Sequence, residues 1–306
     1  MMRGPLGSAV ALRLPDGSIE VTPQEETHLS QKYKWAKLPI IRGVIAFVES
    51  LVYGYKYLMY SAEKTALDDL EEEPEGKVDK WLTEHLGDKL MAVIGIISVV
   101  LGVALAMVLF LWAPIWLVDL FDKYVTGDIL EAHNLHALFE GILKIIILVI
   151  YMWAVAKYPD IKRTFMYHGA EHKTIFCYEN GLDLTVENVK KQIRFHPRCG
   201  SSFMIVMLLI GIFLYTILGL IFPGIGTHRA LWMALKLILL PIIMGFGYEF
   251  IKYAGKHDGL IVRILSAPGL WMQHITTVEP TDDIIEVGIA AFNAVRTDNP
   301  EDDEIK

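Results

Sequence analysis

Long apolar stretches occupy the middle and the second half of the chain, and they set the fold class. Four of them approach or exceed the roughly 20 residues that an α-helix needs to cross the core of a bilayer. They are residues 91–118, 137–156, 203–222 and 230–251. The first and third contain no charged residue, whereas the second carries Glu140 and Lys144, which can pair across one helical turn. The pattern predicts an all-α integral membrane protein with about four transmembrane helices.

A fifth hydrophobic segment, residues 35–63, is weaker than the other four. Its apolar part, residues 43–55, contains Glu49 and is too short to cross a bilayer comfortably. Apolar stretches of about 10–14 residues are typical of interfacial or re-entrant helices. We therefore expect a helix that lies in the membrane interface or docks on the helical bundle. A fifth transmembrane helix is the alternative.

The remaining segments are predicted to be polar appendages of this bundle. Two short alternating runs around residues 15–17 indicate a small N-terminal hairpin, and residues 282–295 read as an amphipathic helix opened by acidic residues. The predicted division is an N-terminal hairpin segment (1–34), an interfacial or re-entrant helix (35–63), an acidic linker (64–90), a first transmembrane pair (91–156), a cytoplasmic His/Cys loop (157–202), a second transmembrane pair (203–251) and a cytoplasmic C-terminal segment (252–306).

Basic residues are distributed unequally among the loops, which predicts an orientation. The loop at residues 157–202 contains eight Lys and Arg residues, whereas the loops at 119–136 and 223–229 contain one each. Short loops rich in Lys and Arg stay on the cytoplasmic side of a membrane. With four transmembrane helices, this rule places the basic loop and both termini in the cytoplasm.

Composition narrows the class of protein further. The chain is 53% hydrophobic and carries a formal net charge of −8, and nothing in this balance indicates nucleic-acid binding. Its two cysteines, Cys177 and Cys199, are too few for a disulfide framework and agree with a reducing compartment. The first thirty residues lack the pattern of a secretory signal. We therefore expect the internal apolar segments to direct membrane insertion.

His168, Glu171 and His172 form the pattern H-x-x-E-H within the basic loop. On a helix the two histidines lie one turn apart and can bind the same metal ion, with Glu171 beside them. Inverted zinc hydrolases share this pattern. In such sites neutral imidazoles hold the ion, the ion lowers the pKa of its bound water towards about 7, and a carboxylate accepts the proton. The pattern therefore predicts a divalent metal, zinc, with Glu171 as the catalytic base.

A second group of reactive residues, His196 to Cys199, lies in the same loop. Pro197 indicates a turn there rather than the interior of a helix. Either His196 or Cys199 can supply a third metal ligand, which leaves the fourth position open for water or substrate. Arg198 is suited to contact an anionic group of a substrate.

Purely structural interpretations compete with these assignments. Short motifs arise by chance, Gly169 weakens the helix that the motif requires, and Cys199 can be a small buried residue. Basic residues are expected on the cytoplasmic side of any membrane helix, and this rule alone accounts for Lys190, Lys191 and Arg194. They would attract anionic lipid headgroups without any enzymatic activity.

Glu249 is a charged residue at the predicted cytoplasmic end of the last apolar stretch. Charges in or near the bilayer are costly, so a function or a specific partner is expected. Glu249 is either a further ligand of the loop site or the partner of Arg42 or a loop arginine. The ion pair is the favoured interpretation.

Longer motifs surround these residues. They are residues 167–173 (YHGAEHK), 184–188 (LTVEN), 196–200 (HPRCG), 247–249 (GYE), 268–273 (PGLWMQ) and 276–280 (TTVEP). In these motifs, and over nearly its whole length, the chain resembles the YqhQ-like family of bacterial membrane proteins. The resemblance implies a multi-pass protein of the bacterial cytoplasmic (inner) membrane. The family is a domain of unknown function that is sometimes labelled a predicted metal-dependent enzyme, and the label rests on these same His, Glu and Cys residues.

Three functional hypotheses follow from the sequence. The first is a cytoplasm-facing, metal-dependent membrane enzyme of the hydrolase type, whose substrate the sequence does not name. The second is a non-catalytic scaffold or regulator whose loop binds a structural metal, anionic lipid or a protein partner. The third is a small transporter, for which only Pro241 suggests the broken helix that is usual at transport sites. The lipid bilayer is the one partner that the sequence predicts directly, and the oligomeric state stays open.

Overall fold

The computed structural model describes residues 1–4, 7–24, 29–69, 90–127, 129–132, 135–197, 199–222, 225, 228–254, 257 and 259–297. Most of the predicted acidic linker and the acidic C-terminal tail lie outside these residues.

The N-terminal segment forms a small antiparallel sheet. Its strands are β1 (Met2–Gly4), β2 (Gly7–Arg13) and β3 (Ile19–Gln24), in the order β1-β2-β3. The predicted hairpin is β2–β3, paired from Arg13 opposite Ile19. Gly17 adopts a φ of +85° in the turn, a conformation that is easy only for a residue without a side chain.

Helices make up most of the rest of the described chain. In order, they are α1 (Leu29–Lys32), α2 (Ile41–Asp69), α3 (Leu90–Met107), α4 (Ala113–Phe121), α5 (Ile129–Ala132), α6 (His136–Val155), α7 (Pro159–Glu179), α8 (Val186–Lys190), α9 (Gly200–Ile221), α10 (Arg229–Ala254), α11 (Leu260–Thr276) and α12 (Asp282–Asn293). A 3₁₀ turn at Lys34–Lys37 precedes α2, and π-helical turns at Val108–Trp112 and Asp122–Thr126 flank α4.

Four helical stretches in the described residues are long and apolar enough to cross a membrane, which confirms the predicted fold class. They are Val93–Thr126, His136–Val155, Gly200–Ile221 and Ala230–Ala254. The first continues through α3, both π-helical turns and α4. Helix α2 is not among them, and it begins at Ile41 rather than at residue 35.

The chain folds as two units. The first comprises Met1–Ser61, Val149–Gly211 and Leu237–Lys306, and the second comprises Ala62–Leu148 and Ile212–Lys236. In the first unit, α12 packs on β2 with one face and on α7 and α8 with another. Apolar residues of α12 contribute to two hydrophobic clusters. Val287, Ala291 and neighbouring residues form one cluster with the sheet, while Ile284 and Ile285 form the other with α7.

Helix α2 crosses α10 within the first unit, at positions that lack large side chains. A Cβ atom added at Gly43 would lie 2.6 Å from Cβ of Tyr248, and one added at Gly245 would lie 2.2 Å from Cγ2 of Ile40. Glycine at both positions therefore allows the close approach. On its other side α2 exposes a stripe of apolar residues that includes Val48, Leu51, Val52 and Leu58.

The second unit contains a buried group of charges on two of these apolar helices. The Glu140 carboxylate accepts hydrogen bonds from Lys236, and Lys144 Nζ lies 2.7 Å from Glu140 Oε1. All three residues are buried. Lys236 also lies 4.8 Å from the centre of the Trp232 ring, a cation–π contact. Because each charge has a partner, the polar cluster is compatible with an apolar bundle.

Candidate metal centre

The H-x-x-E-H motif lies in the middle of α7. Pro159 opens this helix and Asp160 lies in its first turn, both favourable positions. Gly169 does not interrupt the helix. A Cβ atom at this position would lie 2.2 Å from the carbonyl oxygen of Val278, and the Val278 N–H donates to Phe165 O at 3.0 Å. Glycine is therefore required because an extended segment crosses α7 at this point.

His168 is held by the C-terminal end of α11. Its Nδ1 atom lies 2.8 Å from the carbonyl oxygen of Thr276. A carbonyl oxygen can only accept a hydrogen bond, so Nδ1 carries the proton. The Nε2 atom then points to Cys199, whose Sγ atom is 3.1 Å away.

His172 is oriented in the same manner by a different segment. Its Nδ1 atom lies 2.5 Å from the carbonyl oxygen of Arg194, in the loop that leads to Cys199. The ring centroids of His168 and His172 are 4.4 Å apart, as expected for residues one helical turn apart. Both imidazoles therefore have a fixed Nδ1–H and an Nε2 atom available as a ligand. This backbone support is typical of histidines that bind metals.

Cys199 lies at the N-terminus of α9, where its carbonyl oxygen accepts from the N–H of Ser202 at 3.1 Å. Its Sγ atom accepts from the Ser201 N–H at 3.4 Å, so the sulfur caps the first turn. The positive end of a helix dipole favours a thiolate at this position. The ligand atoms of His168, His172 and Cys199 all lie within 4.8 Å of one another, and this group could hold a metal ion.

The charges of His168 and Cys199 depend on each other. Burial alone would lower the pKa of His168, but the hydrogen bond and charge of Cys199 raise it to about 9. Burial alone would raise the pKa of the Cys199 thiol, but hydrogen bonds and charges from both histidines lower it to about 5. At neutral pH the metal-free pair is therefore an imidazolium and a thiolate. The thiolate is the form of cysteine that binds metals and attacks electrophiles.

His196 lies beside this group without belonging to it. Its ring centroid is 5.6 Å from that of His172, but its Nε2 atom faces Glu179 Oε2 at 3.6 Å. Of the two alternatives that the sequence left open for a third ligand, the geometry brings Cys199 rather than His196 to the two histidines. The His196 backbone is held by Gln273, whose Oε1 accepts from its N–H at 2.7 Å and whose Nε2 donates to its carbonyl at 2.8 Å.

Glu171 lies three residues after His168 on α7 and contributes to raising the pKa of that histidine, so its carboxylate is close to the group. It is not one of the three candidate ligands. Arg198, the predicted anion contact, lies outside the described residues.

The sequence matches a known family over most of its length. Residues 38–298 match the family described as "Protein of unknown function (DUF1385)". The chain belongs to this family. It is 35% identical over 289 residues to "Uncharacterized protein YqhQ" of Bacillus subtilis (strain 168), an alignment that covers 92% of this chain and 85% of that protein. No solved structure matches the chain. These findings confirm the resemblance that the sequence motifs predicted.

Glu249, also within the family match, lies in a different part of the first unit. Its Oε1 accepts from Arg42 Nε at 2.6 Å, and its Oε2 accepts from Arg42 Nη2. Hydrogen bonding to Glu249 raises the pKa of the Arg42 guanidinium further. The carboxylate therefore joins α10 to α2 as one half of a bidentate pair, and it is not in the group of candidate metal ligands.

Several residues around the group were not assigned a role from the sequence. Thr276 supplies the carbonyl that holds His168, and Gln273 supports the His196 backbone. Lys173 is buried and donates both to the carbonyl of Lys190 at 2.9 Å and to the Glu279 carboxylate. The available signal was that residues 268–273 and 276–280 belong to the motifs shared with the family.

Proposed function

We propose that this protein is a metal-dependent membrane enzyme of the hydrolase type, with His168, His172 and Cys199 as metal ligands and Glu171 as general base. One observation carries the proposal. Both imidazoles donate Nδ1–H to backbone carbonyls, and one ring nitrogen of each lies with the Cys199 sulfur in a group whose ligand atoms are within 4.8 Å of one another. Pre-oriented ligands of this kind need little reorganisation to bind an ion.

The donor set fits zinc among the divalent metals. Imidazole nitrogen and thiolate sulfur are both preferred zinc ligands, and three protein ligands leave a fourth position open, as in catalytic sites. When bound, such an ion would act as a Lewis acid and lower the pKa of water towards about 7. The Cys199 thiolate is already formed at neutral pH, and the ion would have to displace the proton that His168 Nε2 carries in the metal-free pair.

The proposed role of Glu171 is to accept a proton from the attacking water and to pass it to the leaving group. A general base must lie within reach of the reacting water and must not be occupied by another partner. Glu171 directly precedes His172 on α7 and lies close enough for its charge to raise the pKa of His168. Arg198 keeps its proposed role as a contact for an anionic group of the substrate.

The proposed location is the cytoplasmic face of a bacterial inner membrane, with both termini in the cytoplasm. Support comes from the eight Lys and Arg residues of the loop at 157–202, because basic loops stay on the cytoplasmic side. The candidate centre lies at the level where α9 would enter the bilayer, since Cys199 immediately precedes Gly200. Anionic lipid headgroups are a proposed partner of the basic residues in this loop.

A second candidate function is a metal-free cysteine nucleophile. The 3.1 Å contact between His168 Nε2 and Cys199 Sγ favours it, because an imidazole beside a thiol at a helix N-terminus activates the sulfur.

A non-catalytic scaffold would differ from the enzyme in the coordination of its metal. In a scaffold, a fourth protein ligand would complete the coordination and leave no position for water.

The metal content of the purified protein tests the proposal. We expect about one zinc ion per chain by elemental analysis, following the three-ligand argument. The variant His168→Ala/His172→Ala should lose the ion, while the matched control His228→Ala/His257→Ala, at two exposed histidines, should keep it. Absence of metal from the wild type after refilling with zinc, manganese, iron and nickel would refute the metal centre and leave the cysteine nucleophile.

Glu171→Gln separates an enzyme from a scaffold. This variant should keep its metal, because Glu171 is not one of the candidate ligands. It should lose the cellular function of the protein at unchanged abundance in the membrane, as measured by complementation of a deletion strain. Full complementation by Glu171→Gln would contradict the catalytic role and support the scaffold.

A further inference from the structure

We infer that the candidate centre acts on an amphiphile of the lipid bilayer, which reaches it from the membrane surface along α11. As regards catalysis, this inference rests on the proposed function. The placement of α11 in the membrane interface stands on separate observations.

The inner face of α11 forms one wall of the centre. Its last residue, Thr276, holds His168, and the fully buried Gln273 holds the His196 backbone and donates to the Ser202 hydroxyl at 3.1 Å. Gly269 allows the helix to touch the start of α9, because a Cβ there would lie 2.7 Å from the Ser202 Cα. The helix is therefore fixed against the residues that orient the candidate ligands.

The outer face of α11 is exposed and mostly apolar, with Arg263 and His274 along one edge. Leu260 is 75% exposed, Ile264 is 60% exposed and Trp271 is 55% exposed. The separations of four and seven residues place these side chains on one face of the helix. An apolar face that carries a tryptophan is typical of helices that lie in the headgroup region of a membrane.

The ends of α11 place it at a membrane surface. It begins six residues after Ala254, where the last apolar helix ends, and its middle touches the first turn of α9. Helices α9 and α10 are in contact at this level, because a Cβ at Gly247 would lie 2.8 Å from Cγ of Met207. A 17-residue helix is about 25 Å long. It can therefore lie along the surface with its outer face towards lipid.

Helix α2 extends the same kind of surface. It touches α10 through Gly43 and Tyr248, close to the end where α11 begins, and it exposes its own apolar stripe around Leu51 and Leu58. Two helices with exposed apolar faces thus adjoin the same end of α10. Continuity with helices that are apolar enough to cross a membrane favours lipid as the occupant over a second protein.

The arrangement limits the class of substrate. A single helix, about 10 Å across, separates the proposed lipid surface from the candidate ligands. An amphiphile whose tail stays in the bilayer can bring a polar head to the centre over that distance. A lipid with a hydrolysable bond between tail and head satisfies this requirement, whereas a substrate dissolved in the cytosol would gain nothing from the apolar face.

Spin labels in lipid nanodiscs test the placement of α11. Single cysteines replace Ile264 and Trp271, with Glu187→Cys as the water-exposed reference and Ile97→Cys as the lipid-exposed reference. The ratio of collision rates with oxygen and with a water-soluble nickel chelate should resemble that of Ile97→Cys. It should exceed that of Glu187→Cys at least about fivefold, because oxygen concentrates in hydrocarbon and the chelate does not. A ratio equal to that of Glu187→Cys would overturn the inference, as would labels shielded from both reagents, which indicate a protein partner or a second copy.

Thiol trapping tests the route to the centre without requiring a metal or a known substrate. Metal-free protein in nanodiscs is treated with a long-chain maleimide that partitions into lipid or with a charged, water-soluble maleimide, and peptide mass spectrometry follows Cys199. After normalisation to Glu187→Cys, the lipid reagent should react at least about tenfold faster, because the bilayer concentrates it at the surface.

Ile264→Lys should abolish this preference, and the matched control Leu182→Lys should keep it. Equal rates in the wild type, or a preference for the charged reagent, would overturn the inference even if the protein binds zinc. If zinc is absent but the preference holds, the proposed metal centre fails while access from the bilayer stands.

Discussion

The Nε2 atom of His168 lies 3.1 Å from the Sγ atom of Cys199, and this contact joins two motifs that are 31 residues apart in the chain. It forms because α7 presents the imidazole and the N-terminus of α9 presents the sulfur. Either metal binding or thiol chemistry at this place uses the same contact. The protonation states of His168 and Cys199 are therefore the property that most directly characterises the centre.

The pH dependence of Cys199 alkylation follows from this pair. The thiolate is present above a pKa of about 5 and is lost as the pH falls through that value, while the imidazolium of His168 is lost as the pH rises through about 9. In metal-free protein, the rate of alkylation by iodoacetamide should therefore stay high at pH 6–7 and fall with a midpoint near 5. Peptide mass spectrometry measures the rate.

His168→Ala provides the comparison for this profile. Without the His168 imidazole, only His172 is left to oppose the effect of burial, so the midpoint should move upwards. Cys177 is an internal control, because burial raises the pKa of its thiol. A wild-type midpoint that coincides with that of His168→Ala would contradict the ion pair.

Gly169→Ala should destabilise the protein although alanine favours helices by about 1 kcal/mol over glycine. The added Cβ would lie 2.2 Å from the Val278 carbonyl, and overpacking of this kind costs roughly 1–3 kcal/mol. Displacement of this segment should also weaken zinc binding, because Thr276 lies two residues away. Thermal unfolding in detergent and zinc titration are the measurements. Gly54→Ala, in α2 with no atom within 4 Å of the new Cβ, should be neutral or stabilising.

Glu249→Gln should leave the metal content unchanged and reduce stability. The carboxylate pairs with Arg42, and both side chains are about one-third exposed, so the expected loss is only about 1 kcal/mol. Arg42→Met should cost a similar amount, and the double variant should cost less than the sum of the two. Additive effects in this cycle would contradict the ion pair, and loss of zinc from Glu249→Gln would show that Glu249 acts at the centre.

Glu140→Gln should destabilise the second unit strongly. It removes the partner of two buried ammonium groups, Lys144 and Lys236, and breaking a buried ion pair typically costs about 3–5 kcal/mol. Glu140→Gln/Lys236→Met should be less harmful, because it leaves one buried cation fewer. Thermal unfolding in detergent distinguishes the two. If the single variant is as stable as the wild type, this cluster is not a stabilising ion network.

The apolar helices could be predicted because the bilayer requires a long uncharged stretch, which sequence shows directly. The helix carrying His168 and His172 was likewise visible as a motif, and the contact with Thr276 now explains the orientation of its first histidine. The choice between His196 and Cys199 could not be predicted. It depends on tertiary contacts with two different places on α7: the Cys199 side chain meets His168 in the middle of the helix, and the His196 side chain faces Glu179 at its C-terminal end.

Helix α11 is the part of the site that sequence reasoning missed. Its pattern contains Pro268 and Gly269, which ordinarily argue against a helix. Glycine is needed at position 269 because α11 packs against Ser202, and this tertiary contact cannot be read from the sequence. The outer apolar residues of α11 are too few to predict a transmembrane helix from the sequence.

Gln273→Leu tests whether α11 supports the centre. The Gln273 amide makes three hydrogen bonds, two with the His196 backbone and one with the Ser202 hydroxyl, and it is fully buried. Leucine has a similar volume but leaves the His196 N–H and carbonyl unpaired, at about 1–3 kcal/mol for each group. We expect a lower midpoint of thermal unfolding and weaker zinc binding, because the loop that positions Cys199 loses its support.

The matched control is Gln192→Leu, which removes a glutamine whose bonds to Asn180 and Asn188 lie near the protein surface. It should change the unfolding midpoint little and zinc affinity not at all. If Gln273→Leu lowers stability yet leaves zinc affinity at the wild-type value, α11 stabilises the fold without positioning the ligands. Helix α11 would then attach the protein to the membrane without forming part of the site. A substrate from the bilayer would have to reach the candidate ligands past the loop that carries Cys199.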